Sequence, residues 1–230
     1  MAERRRFVRS SEENQPITME SHNFHVVELS PSALLVKRIF DIVFSLAGLL
    51  MLSPLFLVIA VIIKLTSKGP VFYSQKRVGK GGRVFNFYKF RSMVVNADKI
   101  KESLKNVNEA TGPVFKMKHD PRVTKIGRFI RKYSIDELPQ LFNVLKNDMS
   151  LVGPRPPIPD EVKKYKGWQT KRLAIQPGIT CIWQTSGRSR IGFEDWVRMD
   201  IYYIENWSLW LDIKLLFKTV KTVVTADGAY

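Results

Sequence analysis

Residues 42–63 carry no charge. A straight helix over these roughly 22 residues, at about 1.5 Å each, is about 33 Å long, close to the hydrocarbon thickness of a bilayer. Contact with a membrane is therefore the first expectation. Two residues argue against a plain spanning helix. Pro54, preceded by Ser53, removes a backbone donor in mid-segment. Asp41 sits at the start, where a carboxylate is costly unless it is paired or near the interface.

Lys37 and Arg38 precede the segment; Lys64, Lys68, Lys76, Arg77, Lys80 and Arg83 follow it. Cationic flanks favour the cytoplasmic side. A single span cannot place both ends there, but a re-entrant helix–break–helix can. Ser53-Pro54 would divide it into halves of about 11 and 9 residues, each too short to cross. Ser53 is placed to bond a carbonyl freed by the proline. Lys37 and Arg38, four and three positions before Asp41, are placed to neutralise it on one helix face. A kinked span ranks below the re-entrant form, and a buried core helix of a soluble protein ranks below both.

The net charge is +16, from 37 Lys+Arg against 21 Asp+Glu in 230 residues. About 165 residues follow the apolar segment, enough for one domain with its own core. The excess charge points to nucleic acid, anionic lipid or a phosphate-rich substrate. The single cysteine, Cys181, excludes an intrachain disulfide, and His22, His25 and His119 form no metal-ligand cluster. Arg4, Arg5, Arg6 and Arg9 lie too far from the apolar run for a signal peptide.

The expected organisation has three parts: a flexible arm over 1–36 with one strand over 23–29, a re-entrant helix over 37–64, and a cytoplasmic domain over 65–230. The fold class is α/β, mostly helical, with a small β-hairpin and amphipathic interfacial helices. Two aromatic, β-branched runs around the glycine turn 79–82 predict the hairpin. A charged helix plus loop follows over 94–112, and a short basic helix over 123–132. Leu138, Leu141, Phe142 and Leu145 share one face of a helix over 133–145. A rigid extended loop is expected at 153–157, a polar helix over 160–172, a short strand over 179–184 and a loop over 185–189. Helices over 193–206 and 208–224 close the chain. With Trp207 and Trp210, the last either lies in the membrane interface or packs as an ordinary amphipathic helix.

The chemistry concentrates on the adjacent acids Asp136 and Glu137. Pro139 places a helix start near Ile135 or Asp136, whose positive end would hold Asp136 ionised. Ser134 and Glu137 also match a capping box, the better reading of that pair taken alone. The surroundings shift the weight. Arg131 lies five positions before Asp136, Arg155 is locked between prolines, Lys89 and Arg91 end the hairpin, and Arg188 and Arg190 sit in a Gly-Ser loop. Paired acids among such cations suit a phosphate or pyrophosphate substrate bridged by a divalent metal. An ionised carboxylate can attack phosphorus and split the transfer into two steps.

Several segments together carry a family resemblance: Lys37-Arg38 with Asp41, Ser53-Pro54, GPVFYSQKRVG (69–79), KFRSM (89–93), DPRVT (120–124), SIDELPQLFNVLKNDMSLVGPRP (134–156), PGIT (177–180) and QTSGRS (184–189). From about Lys37 to its end the chain resembles the monotopic bacterial polyprenyl-phosphate phosphoglycosyl transferases. These start exopolysaccharide, capsule or O-antigen assembly. The resemblance implies a re-entrant helix at the cytoplasmic face of the bacterial inner membrane. It implies transfer of a sugar 1-phosphate from a UDP-sugar to undecaprenyl (polyprenyl) phosphate, releasing UMP. Asp136 falls on the nucleophile and Glu137 on the acid associated with Mg2+. Arg131 and Arg155 match phosphate-site arginines, with Lys89 and Arg91 expected beside them. Gln184, Gly187 and Arg188 match a nucleotide-sugar region. Glucose or galactose is the expected sugar. The expected partners are the two substrates, membrane lipids and downstream glycosyltransferases, with a homodimer open to the chain and no nucleic acid. Larger members carry further N-terminal helices and a domain, so the chain reads as a compact member or the catalytic part of a longer one. The rival readings are a basic, non-enzymatic membrane- or nucleic-acid-binding module and a pyrophosphatase-like hydrolase.

Overall fold

A computed structural model describes residues 30–115 and 117–226. The strand expected over 23–29 and nearly all of the arm lie outside the described residues. Seven helices and four strands follow in order among those described.

Helix α1 runs over Pro31–Thr66, opened by the Ser30 side chain, which accepts from the Ala33 amide at 3.2 Å. It passes through Pro54 as one helix, so Ser53-Pro54 does not divide it into two. The reason is local. Pro54 has no N–H for the Leu50 carbonyl four residues back, and the Ser53 hydroxyl donates to that carbonyl at 2.9 Å. The donor expected of Ser53 is therefore present, and the two halves stay one element.

Among the described residues α1 alone is long and apolar enough to cross a membrane, and only 11% of its most apolar window is buried in the protein. A core helix of this body would bury most of such a window. One narrow face touches the body. Asp41, Ser45, Ile59 and Ile63 are buried, while Leu50, Met51, Leu57 and Leu65 stand exposed. Both ends grip the same body: Phe40 packs on the main core, and Ile59 and Ile63 cluster with Phe90 and Ile130.

The charged residues of α1 depart from the expected local neutralisation. Lys37 Nζ pairs with Asp212 Oδ2 at 2.6 Å. Arg38 donates to the carbonyls of Val144 and Leu145, at 2.7 and 3.0 Å. Asp41 accepts from the Leu151 amide at 3.1 Å. The three charges thus find their hydrogen-bond partners far along the chain, while the Lys37 charge still opposes the rise that burial imposes on the Asp41 carboxyl.

Strands β1 (Phe72–Val78) and β2 (Val84–Phe90) form the expected antiparallel hairpin. Its turn uses Gly81 at φ 64°, where a side chain would be strained. After α2 (Ala97–Ser103) comes α3 (Lys125–Lys132), capped by Thr124, whose hydroxyl accepts from the Gly127 amide at 2.9 Å. Gly127 allows α3 to lie against the chain leaving β2, because a Cβ there would sit 1.9 Å from the Ser92 carbonyl oxygen.

The helix expected over 133–145 is a 3-10 turn, Ile135–Glu137, followed by α4 (Gln140–Leu145). Phe142 is exposed, and Leu141 and Val144 face the core instead. Strands β3 (Ser150–Val152) and β4 (Gly178–Thr180) pair in parallel. Between them the polar helix expected over 160–172 is replaced by α5 (Pro159–Val162) and a 3-10 stretch, Gly167–Leu173. The strand expected over 179–184 ends at Thr180, and a 3-10 turn, Trp183–Thr185, follows. Helices α6 (Phe193–Glu205) and α7 (Leu209–Thr225) end the described chain.

Asp212 of α7 is fully buried and joins three elements. It accepts from Lys37 of α1 at 2.6 Å, from the Tyr203 hydroxyl of α6 at 2.6 Å and from Trp207 Nε1 at 3.1 Å. Removing one partner of a buried ion pair strands the other in low dielectric, at a cost of about 3–5 kcal/mol. Asp212→Ala is expected to lower unfolding free energy by that amount in chemical denaturation, and a loss below about 1 kcal/mol contradicts the role.

Candidate active site

The hairpin register sets the first wall. Tyr73 lies opposite Lys89, Gln75 opposite Phe87 and Arg77 opposite Phe85, so these residues share one face of the pleat. Lys89 and Arg77 therefore project together. Arg131 comes from the last turn of α3, and the 3-10 turn after it carries Asp136 and Glu137. The extended proline segment after β3 supplies Arg155, and the turns after β4 supply Gln184 and Arg188. All of these line one cleft of about 280 Å3. An adjoining cleft of about 300 Å3 shares Arg77, Lys89, Arg131 and Asp136 and adds Arg91. A larger cavity, about 410 Å3, lies at the start of α1 beside Lys37, Arg38 and Trp207. It contains neither acid of the pair.

Lys89 Nζ reaches Glu137 Oε1 at 2.7 Å and Asp136 Oδ2 at 3.5 Å, and Arg155 reaches Glu137 Oε1 at 3.0 Å. Burial alone would raise the Glu137 carboxyl, but Lys89 and Arg155 hold it well below the usual carboxylate range. Asp136 goes the other way. Burial raises its carboxyl, Lys89 opposes this, and the neighbouring Glu137 charge adds to the rise. Two adjacent acids are thus pushed apart, one fixed as an anion and the other made more basic.

The expectation that a helix end holds Asp136 ionised is replaced by this arrangement: the turn is too short for a macrodipole, and burial dominates. The capping box is absent too. Ser134 is left-handed at φ 53° and caps nothing, while Glu137 faces the two cations. The Ser134 hydroxyl instead accepts from Arg188 at 3.3 Å.

Of the residues picked from sequence, Asp136, Glu137, Arg131, Arg155, Lys89, Gln184 and Arg188 come together around the cleft. Gly187 adopts φ 153°, where it turns the chain just before Arg188. Arg91 does less than expected at the acid pair. It donates to the Ser67 carbonyl at 2.8 Å and to the Ser67 hydroxyl at 2.7 Å, tying β2 to the end of α1.

Arg77 was missed as a site residue and read only as a flanking charge. It donates to the Pro156 carbonyl at 3.0 Å, lies over the Phe87 ring, and its Nε has no hydrogen-bond partner among the described residues. Burial and the facing Arg155 push its guanidinium down to about 10, still cationic at neutral pH. The two-residue period of the hairpin carried the signal, since positions 73, 75 and 77 face the same way as 89.

Among the described residues no group of three or more His, Cys, Asp or Glu converges to hold a metal by itself. The donor set still suits Mg2+, which is commonly held by one or two carboxylates and completed by substrate phosphates. Glu137 would be that carboxylate, with Asp136 beside it.

The family described as bacterial sugar transferase matches residues 32–226. A galactosyl transferase, CpsE, of Streptococcus agalactiae is 51% identical over 199 residues, covering 86% of this chain and 44% of its own. An undecaprenyl-phosphate galactose phosphotransferase of Salmonella typhimurium is 50% identical over 204 residues, covering 86% and 42%. The chain thus spans less than half the length of these two relatives. The exopolysaccharide production protein ExoY of Rhizobium meliloti, 40% identical over 200 residues, is matched over 88% of its length. The acid pair and its surrounding cations all lie within the matched residues, and the chain belongs to the bacterial sugar transferase family.

Proposed function

We propose that this chain transfers a hexose 1-phosphate from a UDP-sugar to a polyprenyl phosphate such as undecaprenyl phosphate, releasing UMP, in the opening membrane step of polysaccharide synthesis. The observation that carries the reading is the acid pair: a buried Asp136 beside an anionic Glu137, ringed by Lys89, Arg155, Arg131 and Arg77. Family membership supports it, as does a relative named for undecaprenyl-phosphate galactose transfer. The names of the two relatives near 50% identity favour galactose over glucose.

Asp136 Oδ2 attacks the phosphorus that bears the sugar. The phosphoanhydride bond breaks, and UMP leaves with the bridging oxygen. An oxygen of the lipid phosphate then attacks the same phosphorus, the acyl–phosphate bond breaks, and Asp136 returns as a carboxylate. Lys89, Arg131, Arg155 and Arg77 supply positive charge where the phosphate charge shifts during both steps. Glu137 would hold Mg2+, which would supply further positive charge at the departing phosphate.

The membrane reading follows the same geometry. Both ends of α1 are fastened to one body, which favours a helix that enters and leaves on one face over a span. The exposed apolar side chains of α7, Trp210, Phe217, Val220 and Val224, suit the interface beside it. Cationic flanks support the cytoplasmic side for that face.

A UMP-release assay with a panel of UDP-sugars and a short polyprenyl phosphate tests the reaction and names the sugar. Asp136→Asn is expected to cut turnover by at least about a thousandfold, and an active Asn variant contradicts the role. Glu137→Gln is expected to weaken the Mg2+ dependence, and an unchanged titration counts against it. Arg77→Gln is expected to lower kcat/KM for the donor by about tenfold or more, the scale of a lost charge-assisted contact to phosphate.

The pH profile follows from Asp136, which must be deprotonated to attack. Because its carboxyl is raised above 3.8, the rate of the first step is expected to fall as pH drops through an inflection above that value. An inflection at or below 3.8 in single-turnover measurements argues against burial of the nucleophile. For topology, cysteines placed on the two flanks of α1 are expected to label from the same side of sealed vesicles, and label reaching one flank only restores the span.

A further inference from the structure

A second cleft, which takes no residue from the hairpin, opens beside the acid pair. It holds about 150 Å3 between α4 and α7, next to β4. Ser134, Glu137, Gln184 and Arg188 line both this cleft and the cationic one, so the two meet at those residues. Past that rim the character changes. The walls are Leu138, Leu141, Ile179 and Val223, with three threonines between them.

The threonine hydroxyls are committed elsewhere. Thr180 Oγ1 lies 2.7 Å from Thr219 Oγ1, Thr219 donates to the Leu215 carbonyl at 2.7 Å, and Thr222 donates to the Lys218 carbonyl at 2.8 Å. What they can offer a ligand is mainly their methyl groups. The apolar surface continues along α7, because Val223 in the cleft is followed by the exposed Val224 and preceded by the exposed Val220 and Phe217.

We propose that this cleft takes the phosphate-proximal isoprene units of the lipid acceptor, while the cationic cleft takes the diphosphate of the nucleotide-sugar. This rests on the reaction proposed above. A prenyl chain gains about 0.8 kcal/mol for each CH2 removed from water and has nothing to gain from guanidinium groups. A diphosphate has the opposite preference. The shared rim brings the two ligands to the same acid pair without either occupying the other's cleft. The outer face of α7 then continues the path of the chain towards the bilayer.

The test uses the full chain in membranes with a polyprenyl phosphate carrying a photoreactive group on its first isoprene units. Label is expected on peptides containing residues 138–141, 179 or 219–223, and unlabelled polyprenyl phosphate is expected to suppress it where phosphatidylglycerol does not. Label confined to the hairpin side of the acid pair overturns the assignment, as does equal suppression by phosphatidylglycerol. Val223→Trp and Thr222→Trp, which fill the cleft, are expected to raise the acceptor KM about tenfold or more, the effect of about 1.4 kcal/mol of lost binding. Formation of the sugar-phosphate adduct from the donor alone is expected to stay within about twofold, since about 0.4 kcal/mol or less is lost there. An unchanged acceptor KM in variants that still form the adduct overturns the proposal. If the unmodified chain forms no adduct, the covalent reaction is wrong, and the labelling pattern still decides which cleft holds the lipid.

Discussion

The start of α1, a largely exposed apolar helix, holds three charges, and each is inserted into the body of the protein. Lys37 goes to Asp212, Arg38 to the last carbonyls of α4, and Asp41 to the Leu151 amide at the start of the parallel strand pair. Arg38 also meets the negative end of α4, where a cation is favoured. The acid pair lies just before α4, so the contacts that hold the start of α1 also hold the element next to Asp136. Arg91 repeats the device at the other end of α1, by way of Ser67.

In the proposed reaction one carboxylate serves a water-soluble donor and a lipid acceptor. The site needs enough cationic charge to gather phosphates, yet a nucleophile that keeps its basicity. Lys89 and Arg155 bond chiefly to Glu137 and spend their charge there. Asp136 receives the longer Lys89 contact, and burial outweighs the charges of Lys89, Arg131 and Arg155. A direct short ion pair to Asp136 would have stabilised the carboxylate and blunted its attack on phosphorus.

Much of this was legible in the sequence wherever the signal was local. Aromatic, β-branched runs around a glycine turn marked the hairpin, the basic residues marked α3, and Ser53 could be matched to the carbonyl that Pro54 leaves free. Local rules failed where partners are remote. Lys37 and Asp41 stand one turn apart, and neighbour pairing was the natural expectation, but burial drew each towards groups more than a hundred residues away. The Ser134–Glu137 capping box presupposed an extended N-cap backbone at Ser134, which is left-handed. The stripe through Phe142 presupposed a longer helix than the six residues of α4, and Phe142 is exposed. Arg77 was hidden among the flanking charges because its role depends on the face of the hairpin it shares with Lys89, a relation between strands.

The account turns on a covalent bond between Asp136 and the sugar-bearing phosphorus. Intact-mass measurement of the protein mixed with UDP-galactose, UDP-glucose and Mg2+, without any lipid acceptor, tests it most directly. The predicted result is a mass increase of one hexose phosphate, mapped to the peptide containing Asp136 and removed when polyprenyl phosphate is added. UMP released only when the lipid is present, with no adduct at any time before it, would contradict the two-step mechanism.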